Sequence, residues 1–223
     1  MTDSQIPDGW HRHPNGGGLV ENTACVENSA YIAHDARVYD NAHVYDNAQV
    51  YDNAQVSGNA QVYNNAWVHD NAQVSGNARV YDNAQVSGNA RVYDNAHVFG
   101  DAWVYDNAQV SGNARVYDNA HVFGDARVSG NAQVYDNAQV SGDADLNHRR
   151  DILMIGPIGS EHQTITVFCT ATGHLVSVGC WQNHHIDELA DEVQRRAPEH
   201  ADEYAATETL IRLRIKEWED RRD

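Results

Sequence analysis

The sequence predicts a parallel β-helical solenoid followed by a small α+β domain. Residues 24 to 149 repeat one hexapeptide, Ala-x-Val-(Tyr/Ser)-(Asp/Gly)-Asn, twenty-one times without insertion or deletion, as at Ala36–Asn41 and Ala54–Asn59. Within each unit Ala and Val stand two apart, so strand alternation places both on one face. A period of six is too short for a helical repeat and belongs to parallel β-helices. After Arg149 the repeat stops and larger apolar residues enter, which marks a second unit.

The chain has 223 residues and a formal charge of −17, spread over the lead-in, the repeat and the C-terminal region alike. Such a surface repels nucleic acid and anionic lipid, so neither is an expected partner. The sequence contains no apolar run long enough to span a membrane and no basic-then-apolar leader. Three cysteines, an odd number at unrelated spacings, suit a reducing compartment better than a disulfide framework. The expectation is a cytoplasmic protein.

Residues 1–17 are polar, with Pro7, Pro14 and the start of the Gly16-Gly17-Gly18 run. They read as a lead-in or cap, in which Trp10 covers the open end of the solenoid with His11 and His13 in solvent beside it; terminal caps are what repeat architectures require. The solenoid is expected over residues 18–149, because Gly18–Thr23 already scans as a degenerate repeat. The (Asp/Gly)-Asn pair of each unit tolerates left-handed backbone conformations, so each hexapeptide is a short strand plus a tight corner. The Asn that closes most units, from Asn41 to Asn137, is expected to form internal amide ladders.

The spacing of Val and a small residue in these units resembles the hexapeptide-repeat family. That resemblance implies a left-handed parallel β-helix of triangular section, with three hexapeptides per 18-residue coil, about seven coils, and a homo-oligomer, usually a trimer. Stacking residues 18 apart on that basis gives the prism distinct sides. One edge is aromatic throughout: Tyr45, Tyr63, Tyr81, Phe99, Tyr117 and Tyr135. A second edge is mixed, and the third is mostly Ser. The outward residues form a first face from Cys25 to Gln133, a second from Tyr31 to Gln139 and a third from Arg37 to Asp145. Only the second carries tryptophans, Trp67 and Trp103.

The aromatic edge reads either as a docking edge for a protein partner or as stacked rings that shield the backbone. Trp67 and Trp103 on a flat sheet make a sticky stripe that either binds a partner or buries against another copy, and self-association is preferred here.

Residues 150–223 read as a hairpin sheet plus two helices. Ile152–Ile155 is a buried strand ended by Gly156-Pro157. Thr164–Thr170 and Leu175–Trp181 form a hairpin about Thr172-Gly173; a two-residue turn pairs Cys169 with Val176 and Ile165 with Cys180, placing both thiols on the apolar face, too far apart to bridge. A first helix near Ile186–Ala197 buries Ile186, Leu189 and Val193 and stops at Pro198. A second runs from Ala201 to Arg222 with Tyr204, Glu208, Ile211, Ile215 and Trp218 on one stripe, and Arg221 and Arg222 suit its end. Gly156–Ser160, Thr164–Thr166 and Val176–Cys180 resemble a small domain that follows hexapeptide repeats in bacteriophage and prophage proteins; no activity is implied.

The family resemblance implies acyltransferases with a His base and an acyl-thioester cofactor such as acyl-CoA, but their sites depend on corner loops, and none interrupts the twenty-one units. His43, His97 and His121 lie on faces, and His34 and His69 on the second edge, with no orienting carboxylate in view. A zinc hydratase needs three histidines across a subunit boundary, yet His97 and His121 fall on different faces. Cys180, His184 and His185 have no zinc spacing, so no metal is expected. An acidic rod could mimic DNA, though six arginines in the repeat weaken that reading. The favoured function is a non-enzymatic, self-associating binding scaffold without a cofactor, with the acyltransferase as the alternative and the DNA-mimic inhibitor third.

Overall fold

A computed structural model describes residues 6–159 and 162–220. From Leu19 to Leu146 the chain is a parallel β-solenoid of about seven coils, with three sheets in which each strand pairs with the one 18 residues away. Tyr31, Gln49, Trp67, Gln85, Trp103, His121 and Gln139 are in register on one sheet, as the 18-residue stacking expects.

The hydrogen bonds run in one direction. The amides at positions two, four and six of a unit donate to carbonyls at positions one, three and five of the next coil, as Arg37 N to Ala54 O (3.0 Å), Tyr39 N to Val56 O (3.0 Å) and Asn41 N to Gly58 O (2.9 Å). Ala and Val of every unit from Ala36 to Val140 are fully buried, so the core is a stack of small side chains of constant width.

The fifth residue of every unit from Asp40 to Gly142 has a positive φ, whether it is Gly, Asp or Asn. Glycine bears this conformation freely, and Asp and Asn bear it better than other residues. The corner carboxylates also have a task that the repeat pattern does not announce: they accept the amide of the corner one coil on. Examples are Gly58 N to Asp40 Oδ2 (3.0 Å), Gly88 N to Asp70 Oδ2 (3.0 Å) and Gly112 N to Asp94 Oδ2 (3.1 Å). The amide ladders exist but lie outside. Asn59 Nδ2 donates to Asn77 Oδ1 (3.2 Å) and Asn77 Nδ2 to Asn95 Oδ1 (3.0 Å), with these side chains exposed rather than internal.

At the N-terminal end, Trp10–Arg12 forms a strand antiparallel to Leu19–Glu21, and Trp10 lies against Tyr39. His13 is not a solvent histidine. It is 3 % exposed, with Nε2 within 3.1 Å of the Glu27 carbonyl oxygen and Nδ1 against the Asn15 backbone, so it plugs the end.

The C-terminal domain is a four-stranded antiparallel sheet, Ile152–Ile158, Gln163–Cys169, His174–Val178 and Trp181–His184, with helices α1 (Leu189–Arg196) and α2 (Ala201–Glu219). The first strand does not end at Gly156-Pro157 but runs through it to Ile158, with an irregularity in its pairing. The hairpin register is two residues away from expectation: Ile165 pairs with Val178 and Val167 with Val176. The turn has moved by one residue to Ala171-Thr172: Thr170 N donates to Gly173 O (3.0 Å) across it, and Thr170 Oγ1 accepts the amides of Thr172 (3.4 Å) and Gly173 (3.1 Å) and fixes it there. A shift of two preserves the face, so Ile165, Val167, Cys169, Val176 and Val178 are buried together.

Contrary to expectation, Cys180 does not face Ile165 in the core but lies exposed in the turn before the fourth strand, whose first residue, Trp181, the expected hairpin includes in the third.

The opposite face of the sheet closes the solenoid. Thr166 Oγ1 accepts the Gln139 amide (3.2 Å), Ser141 Oγ donates to Asn183 Oδ1 (2.7 Å), and Ala144 bridges to Thr170. On the other side α1 buries Leu189 and Val193, next to Ile186 of the preceding turn, and α2 buries Ile211, Ile215 and Trp218. The polar break in the α2 stripe has a partner: Glu208 pairs with Arg212 (2.7 Å), which also reaches Asp187 (2.8 Å). Arg221 and Arg222 lie outside the described residues. No described helix is long and apolar enough to cross a membrane.

Candidate functional site

The six aromatic residues of the first edge form one continuous stack. Ring centroids are 4.8 Å apart for Tyr45–Tyr63, 4.9 Å for Tyr63–Tyr81, Tyr81–Phe99 and Phe99–Tyr117, and 5.4 Å for Tyr117–Tyr135. The planes are within 4° of parallel in the first four pairs and 13° in the last. The coil rise dictates this spacing, since strands one coil apart lie about 4.8 Å apart. Ring on ring excludes water from the faces, and burial accordingly raises the hydroxyl pKa of Tyr45, Tyr81 and Tyr117. It pushes Tyr63 up to about 12, helped by the neighbouring Tyr45 and Tyr81. The edge therefore offers ring rims and neutral hydroxyls, with Asp46, Asp82, Asp118 and Asp136 beside them.

Trp67 and Trp103 share the second face but do not touch. Both pair in register with Gln85, one on either side, and each is 43 % exposed. Trp67 packs edge-on to Tyr51 at 6.4 Å, and Trp103 stacks on His121 at 5.3 Å with a 21° tilt. The indoles are held by neighbours rather than free, which keeps the ordering cost of burying them low.

The histidines are dispersed. His97 stands between Arg79 and Arg115 on the first face, and burial followed by these two cations lowers its pKa; burial alone lowers that of His121. Contrary to expectation, carboxylates stand beside the edge histidines: His34 Nδ1 is 3.0 Å from Asp35 and His69 Nδ1 is 3.2 Å from Asp70. Asp52, His69 and Asp70 bring three donor atoms within 4.8 Å of one another. The signal was Asp at one corner in consecutive coils with His before the second. Both carboxylates already serve as corner acceptors, Asp52 for Asp70 N (3.4 Å) and Asp70 for Gly88 N (3.0 Å).

In the C-terminal domain a cavity of about 210 Å³ opens between sheet and helices, lined by Ile158, Val178, Leu189 and Tyr204 with Cys180 and Arg196 at its polar end. Arg196 Nη1 donates to Cys180 Sγ at 2.8 Å, a pairing that sequence spacing could not disclose.

No curated protein and no solved structure matches the chain. Residues 36–52, 54–70, 72–88, 84–100, 90–106 and 108–124 match the family model of the YdcK Beta solenoid repeat, so the solenoid is built of β-helix repeats similar to that family's.

Proposed function

We propose that the chain is a non-enzymatic binding scaffold: a rigid, self-associating rod that shows its aromatic edge to a protein partner and buries Trp67 and Trp103 against another copy, in a trimer. The observation that carries this reading is the pair of indoles at 43 % exposure on one flat face, preset by ring contacts. Large aromatics in such a position supply much of the energy of protein interfaces. The unbroken edge from Tyr45 to Tyr135 supports a second, separate contact for the partner. In this reading the resemblance of residues 151–215 to a phage and prophage domain makes the scaffold phage-related, working in the cytoplasm.

Light scattering on the Trp67→Ser/Trp103→Ser variant tests the self-association: the expected result is a lower assembly mass than that of the unaltered chain, and an unchanged mass removes the role. Thermal melts with acyl-CoA distinguish the enzyme class. A saturable rise in melting temperature would replace the scaffold by an acyltransferase, because only a specific ligand of the folded state stabilises it by mass action.

A further inference from the structure

At the N-terminal end of the solenoid, each sheet turns the same three backbone groups outward: the carbonyl of a unit's first residue and both the amide and the carbonyl of its third. Two of the three sets are satisfied by the chain itself. On the third face the Gly18 carbonyl accepts His13 N (2.9 Å), and Val20 pairs with His11. On the second face Asn15 Nδ2 donates to Ala30 O (3.0 Å), Ile32 N donates to Asn15 O (3.0 Å) and Gly18 N donates to Ile32 O (2.8 Å). On the first face the corresponding groups, Ala24 O, Val26 N and Val26 O, have no partner among the described residues; the strand Cys25–Val26 pairs only with His43–Val44. The side chains agree. Ala and Val are fully buried in later units, and Ala132 and Val134 at the other end of this sheet are too, whereas Ala24 and Val26 are partly exposed.

We propose that this edge takes an extended peptide segment of a partner protein as an added strand. Unpaired edges are templates for strand addition, and main-chain bonds supply the affinity. The internal ladder shows the pairing required. An incoming parallel strand donates two amides, one residue apart, to Ala24 O and Val26 O, as Cys25 N and Glu27 N donate to Ala42 O and Val44 O at 2.9 Å each. Its intervening carbonyl accepts Val26 N. Its inward side chains are a small residue over Ala24 and a β-branched one over Val26, which covers their exposed surface.

Glu21 and Glu27 stand at the two corners beside the slot, and although each carboxylate accepts an amide of the second coil (Asp40 N at 2.6 Å, Asp46 N at 3.1 Å), their negative charge favours Lys or Arg on either side of the peptide. A second whole copy does not fit end to end. Trp10–Arg12 and Asn15–Gly18 occupy the next layer on the other two faces, about 4.8 Å beyond the first coil, where the copy's own coil would have to stand. This edge is separate from the aromatic stack and from Trp67 and Trp103, and the proposal does not rest on the scaffold reading.

The test is fluorescence anisotropy of a labelled peptide Lys-Ala-Gln-Val-Thr-Lys with the full chain, its Val26→Pro variant, and the same peptide N-methylated at Gln and Thr. Because Val26 N bonds nothing among the described residues, proline there removes the donor without removing a bond between them. The expected result is saturable binding, weakened at least tenfold by Val26→Pro and by N-methylation, with the variant's melting temperature unchanged. Absence of saturable binding, or binding indifferent to N-methylation, overturns the proposal. So does binding seen only after residues 1–5 are removed, which would give the edge to the chain's own N-terminus. Should Val26→Pro destabilise the fold, the methylated peptide, which leaves the protein untouched, decides.

Discussion

Val92 in the solenoid is fully buried between Val74 and Val110, which are copies of itself, whereas Ile165, on the face of the C-terminal sheet turned away from the solenoid, is fully buried among residues none of which recurs. The two regions need the same things, apolar burial and a partner for every buried amide, and meet them differently. In the solenoid each requirement is met by a residue one coil away, so a contact is made many times and no single copy is decisive. In the C-terminal domain Thr170 sets one turn, Trp218 Nε1 reaches the Arg150 carbonyl, and Ile165 fills one gap; each contact occurs once. Repetition spreads the cost of damage along a quasi-one-dimensional array, and irregular packing concentrates it.

The largest expected effect follows from that difference. Ile165→Ala removes a buried side chain from a core with no copy to compensate, at a cost of about 2–5 kcal/mol, comparable at its upper end to the whole stability of a small domain. Amide exchange should show residues 152–218 opening while the solenoid amides stay protected. Equal loss of protection in both regions would mean that they fold as one unit and would dissolve the contrast.

A smaller effect separates the two regions at their glycines. At Gly112, φ +64°, an added Cβ would lie 2.8 Å from the amide nitrogen of Gly130 in the next coil, while at Gly173 it would meet nothing within 4 Å. Gly112→Ala should cost about 1–3 kcal/mol, the usual range for a strained backbone conformation, and Gly173→Ala should be near neutral. Gly112→Asp should cost less than Gly112→Ala, because its carboxylate can accept the Gly130 amide as Asp94 accepts that of Gly112 at 3.1 Å. Denaturant midpoints for the three variants check the order. If Ala and Asp are equal, the corner carboxylates owe their place to backbone tolerance alone.

The same contrast governs what could be read without coordinates. In the repeat, period decides environment: the 18-residue stacking put Tyr63 between Tyr45 and Tyr81 and aligned Trp67 with Trp103, and the rings and strands lie so. What escaped there was any role set by direction rather than period, such as Asp94 receiving an amide or His13 folding inward. In the C-terminal domain alternation sufficed to group Ile165 with Val176, because a shift of two keeps the face, but the register itself depended on one hydroxyl, that of Thr170. The Cys180–Arg196 contact joins a turn to the end of α1, and spacing along the chain does not encode such a meeting.

The mildest expected effect tests whether the aromatic edge acts as a stack or as six separate rings. Burial raises the Tyr63 hydroxyl to about 12, with Tyr45 and Tyr81 next among the causes. A phenol whose folded pKa exceeds its unfolded value holds its proton more tightly in the folded state. Its contribution to stability is full below pH 10 and is lost as pH rises through about 12. Absorbance titration at alkaline pH should therefore show a late tyrosine step that Tyr63→Phe removes. Tyr81→Ser admits water to one face of Tyr63 and deletes a neighbouring phenolate, so it should move that step down towards the ordinary tyrosine value. An unmoved step would assign the shift to the corner backbone rather than to ring on ring, and would leave the edge a row of independent side chains.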